Sequence, residues 1–269
     1  METALDWLQI TLLALIQGIT EFLPISSSGH LILVPELLGW PDQGLAFDVA
    51  VHLGTLSAVL IYFRRDLWLM GRDWSQSLIT RQPTSNSRLA WWVILATLPA
   101  LAFGLFLNNG IEEALRNPLL IAATTIVFGA LLWWSDVRGK KIRDEYSLSF
   151  KDIAIIGLAQ AIALIPGTSR SGITMTAALF LGLTPQAAAR FSFLLSIPII
   201  LGAGLIKWLD LLAAKTAVDW VAMFAGVVLS ALSAYLVIAL FLQWISRIGM
   251  APFALYRFAL GALLLYLFL

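Results

Sequence analysis

The sequence predicts an all-α polytopic membrane protein, and three observations predict it. Hydrophobic residues make up 60% of the 269 positions, charged residues only 12%, and the mean hydropathy is +0.88, far too apolar for a water-soluble domain. Apolar runs close to the roughly 20 residues of a full bilayer crossing recur along the chain. Between them stand shorter apolar runs interrupted by Pro, Gly and Ser, and backbone broken at membrane depth is tolerated only where protein or a cavity satisfies it. Helices are the spans that this pattern allows. Cys is absent, which removes disulfides, thiolate metal sites and a cysteine nucleophile. No Walker, Rossmann or nucleic-acid motif is present, so no nucleic-acid partner is expected. The first Lys or Arg is Arg64, and the N-terminus carries Glu2 and Asp6. Residues 1–23 therefore lack the basic leader of a cleaved signal peptide.

In chain order the apolar segments are residues 5–23, 30–38, 45–63, 89–107 and 119–134, followed by a charged loop at 136–151. The second half holds 153–165, 173–183, 187–206, 220–241 and 252–269. Segments 30–38, 153–165 and 173–183 are too short to cross, and they flank the breaks at 24–29 and 166–172. Each flanking pair is expected to form a re-entrant helical hairpin, leaving six full transmembrane helices. Segment 5–23 is long enough to cross alone, so its place in a hairpin leans on the repeat described next. The charges of GRDWSQSLITRQPTSNSR, residues 71–88 of the loop at 64–88, read as a solvated, partly amphipathic loop. Trp91, Trp92, Trp133, Trp134 and Trp244 fit an interfacial belt.

The chain repeats itself. At an offset of 143, Leu15, Gln17, Ser28, Gly29, Leu38, Gly39 and Gln43 match Leu158, Gln160, Ser171, Gly172, Leu181, Gly182 and Gln186. Three full spans separate the copies, so the second is inverted, and the repeats run approximately over 1–135 and 152–269 of a single integral-membrane domain. Inverted repeats with broken helices place a site near the midplane.

Within residues 17–30, QGITEFLPISSSGH, lie an amide, a carboxylate, three hydroxyls and an imidazole. Polar groups at that depth are a functional-site signal. Gln17 and Glu21 share a helix face, and Ser26, Ser27, Ser28 and Gly29 offer hydroxyls and N–H groups to an anion at a helix start. The bland reading of the serines is N-capping, and of His30 a hydrogen-bonded core histidine. The second copy, PGTSRSGIT at 166–174, adds a cation, Arg170, whose planar fork matches phosphate oxygens. The alternative is a structural Arg170 paired with Glu21 or with helix carbonyls. Asp48 and His52, at i and i+4, read first as a satisfied pair and second as support for the site. Arg190 and Arg257 read as snorkelling or paired rather than reactive.

Taken together, QGITEFLPISSSGH and PGTSRSGIT resemble the paired signature of the undecaprenyl-diphosphate phosphatase family, the bacitracin-resistance membrane enzymes of the bacterial cell wall lipid cycle. The resemblance covers essentially the whole chain. It implies hydrolysis of a C55 polyprenyl diphosphate to the monophosphate carrier, in the plasma membrane, on a fold of interlocked inverted repeats. By position it implies functional roles for Glu21, Ser27, His30 and Arg170, with Ser169 and Thr174 in the second motif. Gln17, Ser26, Ser28, Gly29, Gly167, Thr168 and Ser171 complete the expected substrate-binding set. The family motif opens on Glu or Gln; with Gln17, this chain can only hydrogen-bond or coordinate there through an amide.

Diphosphate cleavage needs charge neutralisation, a nucleophile or activated water, and a proton manager. Arg170 and loop N–H groups suit the first need and His30 the third. Ser27, three residues before His30 and expected within its reach, could attack, as could His30 itself with Glu21 orienting its ring, or water. Glu21 must hold a histidine proton or bind a divalent cation, Mg²⁺ or Ca²⁺, since a bare carboxylate repels the substrate. The rival class is a lipid flippase or secondary transporter with a midplane anion site. Membrane lipids surround the chain in either case, and a homodimer is compatible with it. Loops at 64–88, 136–151 and 243–250 carry eleven Lys or Arg, against Arg116, Lys207 and Lys215 on the other face, which holds the N-terminus, a turn at 108–117 and a loop at 207–219. By the positive-inside rule both termini and the site then face outward.

Overall fold

Asp6, acidic where a leader would be basic, starts the first helix. Its Oδ1 accepts from the Gln9 backbone N–H at 2.8 Å, and Gln9 Oε1 accepts from the Asp6 N–H at 3.0 Å, a reciprocal capping box. The structure, a computed structural model, describes residues 6–41, 43–106, 117–214 and 219–269, the side chains of Ser28, Phe106, Leu212 and Ala214 excepted. Among the described residues it is helical, with no strand beyond an isolated bridge between Arg143 and Leu183.

The helices are α1 (Trp7–Phe22), α2 (Ser27–Leu38), α3 (Gly44–Tyr62), α4 (Arg64–Thr80), α5 (Ser85–Phe106), α6 (Pro118–Arg138), α7 (Phe150–Ile162), α8 (Arg170–Phe180), α9 (Pro185–Ala214), α10 (Trp220–Ile248) and α11 (Ala251–Phe268). Six of them, α3, α5, α6, α9, α10 and α11, are long and apolar enough to cross a membrane, the six that the sequence predicts. Helix α1 is not among them. Its 16 residues rise about 24 Å, short of the roughly 30 Å hydrocarbon core, because Pro24 forces Leu23 out of the helical region (φ −71°, ψ 146°).

Two expectations change in detail. The loop expected at 64–88 is largely α4, an amphipathic helix whose Leu67, Met70 and Trp74 recur at helical spacing. Met70 is buried, Leu67 packs on the core, and Trp74 lies 5.6 Å from the Trp91 ring. The loop expected to begin at Lys207 is still helix through Ala214. The expected turn at 108–117 falls almost entirely on residues outside those described, as does Lys215.

Small residues bring α1 and α3 against α10. A Cβ on Gly18 would stand 1.9 Å from Ser233 Oγ, and one on Gly54 2.0 Å from Ser230 Oγ, so both helices approach as only glycine permits. On the charged side, the Arg143 guanidinium binds the Leu181 carbonyl and the Asp152 carboxylate at 2.9 and 2.7 Å. Burial alone would raise the Asp152 carboxyl, but Arg143 and Ser149 hold it below the usual carboxylate range. Arg190 pairs with Asp66 and Glu145 at 2.9 and 2.6 Å, as the sequence reading of a paired arginine has it.

Arg257 is tied in more firmly than a snorkelling residue. It is fully buried in α11 and donates to four backbone carbonyls, those of Pro24, Thr125, Gly167 and Thr168, at 2.9–3.2 Å. One guanidinium thus joins the break after α1 to the break before α8. Arg257→Leu orphans all four acceptors. It is expected to lower stability by about 3 kcal/mol or more, read as an earlier melt of the detergent-solubilised protein. A melting curve superimposable on the parent's would contradict that role.

Candidate active site

The two breaks in the helices meet, and their backbones match. Ser26 precedes α2 with φ 74° and ψ 92°, and Ser169 precedes α8 with φ 70° and ψ 112°. Non-glycine residues rarely adopt this left-handed region, and such strain collects at functional sites. Ser169 earns its conformation partly as an N-cap, its Oγ accepting from Gly172 N–H at 3.1 Å. Gly167 makes the second turn possible at φ 84°, where a Cβ would fall 2.2 Å from Thr124 Oγ1.

Glu21, near the end of α1, is the hub. Its Oε2 accepts from Ser27 Oγ at 2.7 Å and from Gln17 Nε2 at 3.0 Å, and its Oε1 accepts from Arg170 Nη2 at 3.0 Å. Arg170 also donates through Nη1 to the Ser192 carbonyl at 3.1 Å. The structural pairing weighed for Arg170 is therefore present. Its side chain nevertheless keeps 14% exposure and lines a cavity of about 380 Å³ together with Glu21, Ser26, Ser27 and Ser169. Apolar side chains, including Ile32, Leu164, Ile199 and Ile200, line the same cavity.

His30 stands elsewhere. Its Nδ1 donates to the Ser26 carbonyl at 2.7 Å, and its Nε2 meets the Tyr256 hydroxyl, with the two rings stacked at 5.7 Å. Both ring nitrogens are engaged, so the expected pairing of His30 with Ser27 gives way to Ser27 with Glu21. The physical reason is helical: residue 30 follows residue 26 by one turn, which aims its ring back at that carbonyl rather than at the cavity.

The remaining expected residues divide between wall and frame. Ser171 Oγ donates to the Leu23 carbonyl at 2.8 Å, tying the second break to the first, and Thr174 Oγ1 bonds Ser192 Oγ at 2.8 Å. Gly167 and Thr168 give their carbonyls to Arg257, and Thr168 is fully buried. Gly29 lies behind the cavity, in a smaller groove with Leu33 and Glu36. Of Ser28 only the backbone, inside α2, is described. Sequence reasoning gave no role to Tyr256 or Ser192. It left His52 as a minority reading, yet His52, Asp48 and Lys207 all line the cavity.

A divalent cation on Glu21 does not fit this arrangement. Both carboxylate oxygens already accept hydrogen bonds from donors, one of them cationic. Among the described residues no group of three or more His, Asp or Glu is placed to hold a metal. Nor does Glu21 hold a histidine proton, the other role expected of it; Arg170 is its counter-charge.

A helical membrane protein with a buried carboxylate joined to a hydroxyl and a guanidinium in the wall of one cavity is the class that fold and site define. The chain belongs to the family described as bacitracin resistance protein BacA, whose model matches residues 10–263. It is 61% identical to undecaprenyl-diphosphatase 2 of Stutzerimonas stutzeri (strain A1501), over 98% of this chain and 99% of that one. It is 58% identical to an undecaprenyl-diphosphatase of Alteromonas mediterranea over 96% and 97% of the two chains, and 59% identical to one of Nitrosococcus oceani over 98% and 100%.

Proposed function

We propose that this chain hydrolyses undecaprenyl diphosphate to undecaprenyl phosphate and inorganic phosphate, recycling the lipid carrier of cell wall synthesis and so conferring bacitracin resistance. The observation that carries the reading is the Ser27 hydroxyl donating at 2.7 Å to a carboxylate that also pairs with Arg170. That is a nucleophile, its base and a phosphate-binding cation in one cluster. The apolar side chains that line the cavity, Ile32, Leu164, Ile199 and Ile200 among them, suit the first isoprene units of a lipid whose tail stays among the spans.

In the reaction, the diphosphate draws the Arg170 fork onto its terminal phosphate, and the carboxylate loses its counter-charge just as it must accept a proton. Ser27 Oγ attacks the terminal phosphorus, its proton passes to Glu21, and the bridging P–O bond breaks to release the lipid monophosphate. Water then attacks the phosphorus and the P–Oγ bond breaks. Glu21 returns its proton to Oγ, and the water's proton leaves with inorganic phosphate. Gln17 holds the Glu21 oxygen that faces Ser27. His30 is a positioning residue, fixing the Ser26 carbonyl one residue before the nucleophile. The expected divalent-cation requirement is tested by excess chelator, and phosphate release undiminished by it removes that expectation.

The re-entrant hairpins and the inverted repeat belong to the same reading. Supporting them are the left-handed Ser26 and Ser169 and the left-handed Gly39 and Gly182, each pair at the same 143-residue offset. The packing agrees with them: α1 lies on α10 and α7 on α5, while α3 lies on α10 and α9 on α5, each contact having its counterpart. The whole chain is then one interlocked domain in the plasma membrane, its cavity open to the extracytoplasmic side. Gly110→Cys, outside the described residues, is expected to react with a membrane-impermeant maleimide in intact cells, and Ser85→Cys only after permeabilisation. The reverse pattern would put the cavity on the cytoplasmic side.

The function itself is tested with purified protein in liposomes. Inorganic phosphate released from a polyprenyl diphosphate is the expected result. Lipid translocation without phosphate release would favour the flippase reading, for which the paired hydroxyl and carboxylate have no use.

A further inference from the structure

His52 sits in the wall of the cavity, on α3, with its side chain partly exposed. Its Nδ1 lies 2.7 Å from the Asp48 carbonyl oxygen. A carbonyl can only accept, so the Nδ1 position carries a proton, and in the neutral ring Nε2 is left with a lone pair. This differs from His30, whose Nε2 is taken by Tyr256. Of the two histidines in the chain, His52 is the one that lines this cavity.

The substrate supplies a need for it. A diphosphate brings two phosphate groups, and the cluster of Ser27, Glu21 and Arg170 serves the terminal one. Negative charge builds on the lipid-linked phosphate as it departs, and donors aimed at a developing charge are where catalysis gains most. We propose that His52 is the residue that binds this lipid-linked phosphate, as an imidazolium whose Nδ1 is held by the Asp48 carbonyl and whose Nε2 donates to a phosphate oxygen. The inference rests on the hydrolase reading above and adds to it a second phosphate subsite.

Charged groups of both signs share the cavity wall with His52. Glu21 from α1 and Asp48 on the same helix offer negative charge, Arg170 from α8 and Lys207 from α9 positive charge, and all four line the cavity. Asp48 is itself held by the Gln43 amide at 2.9 Å. Helix α10, which also packs on α3, carries no Asp, Glu, Lys or His between Trp220 and Ile248, its cation being Arg247 near the far end. Helix α4 meets α3 at the opposite end, around Arg64 and Asp66.

The test is steady-state kinetics of the full-length purified protein with a polyprenyl diphosphate, from about pH 5 to 8, the range in which imidazole changes charge. His52→Ala is expected to raise KM at least about tenfold at the acid end, a loss of roughly one charge-assisted phosphate contact. His52→Gln, whose amide N–H can donate without titrating, should restore most of that affinity. In the parent, KM should climb with rising pH as Nε2 loses its proton. The Gln variant should lack that component, the substrate's own titration being common to both. The inference is overturned if His52→Ala leaves KM and its pH profile unchanged, or if His52→Gln is as impaired as His52→Ala. Either failure, with a parent that still releases phosphate, leaves the hydrolase reading standing. A parent that releases none removes that reading instead.

Discussion

Ser27→Ala is expected to lower phosphate release by at least about 10⁴-fold, the scale seen when a nucleophile is deleted from an assembled site. The substitution removes the Ser27 hydroxyl that donates to Glu21 and leaves the ion pair to Arg170 in place. Folding should therefore survive, and loss of turnover in a protein that melts with the parent is the diagnostic outcome. The effect should fall on kcat, because Oγ forms its decisive bond only in the transition state. Turnover within a few-fold of the parent would mean that water attacks directly.

Arg170→Ala is the second large effect, expected to be at least about 100-fold on phosphate release. Two consequences add together there: the terminal phosphate loses its fork, and Glu21 is left as a buried carboxylate without a counter-charge. Arg170→Lys should recover only part of the rate. An ammonium keeps the charge but cannot bridge the Ser192 carbonyl and the Glu21 carboxylate at 3.1 and 3.0 Å in one plane. Full activity in the Lys variant would show that Arg170 acts as a point charge alone.

Much of this architecture was legible in the sequence, because lipid leaves the chain few options. Six apolar runs of spanning length became six helices of spanning length. Pro24 and Gly167, visible as breakers, mark where α1 stops and where the second turn takes its positive φ. Helix α4 was hidden because its apolar stripe is narrow and set among arginines, so its composition resembles a loop while its periodicity is helical. In the site, Glu21, Ser27 and Arg170 were legible as polar groups that hydrocarbon would not otherwise hold. Their partnership was not. Proximity along the chain pointed Ser27 to His30, three residues away, but a helix turns successive side chains through about 100° and carries that imidazole to Tyr256, far along the sequence. Arg257 was visible and undervalued, since a charge within an apolar helix signals a buried partner, and its partners are carbonyls that sequence does not display. His52 was weighed with Asp48 as a closed pair, whereas the pairing runs through the Asp48 backbone and leaves the far nitrogen of the ring over.

The central claim is that Ser27, activated by Glu21, carries the phosphoryl group. The most direct measurement is a rapid acid quench of purified protein turning over a polyprenyl diphosphate labelled in its terminal phosphate, followed by mapping of the label. The account predicts an acid-stable phosphate ester on Ser27 that forms within one turnover and is absent from Ser27→Ala. Label that is lost in acid and retained in base, and that maps to His30, would contradict it.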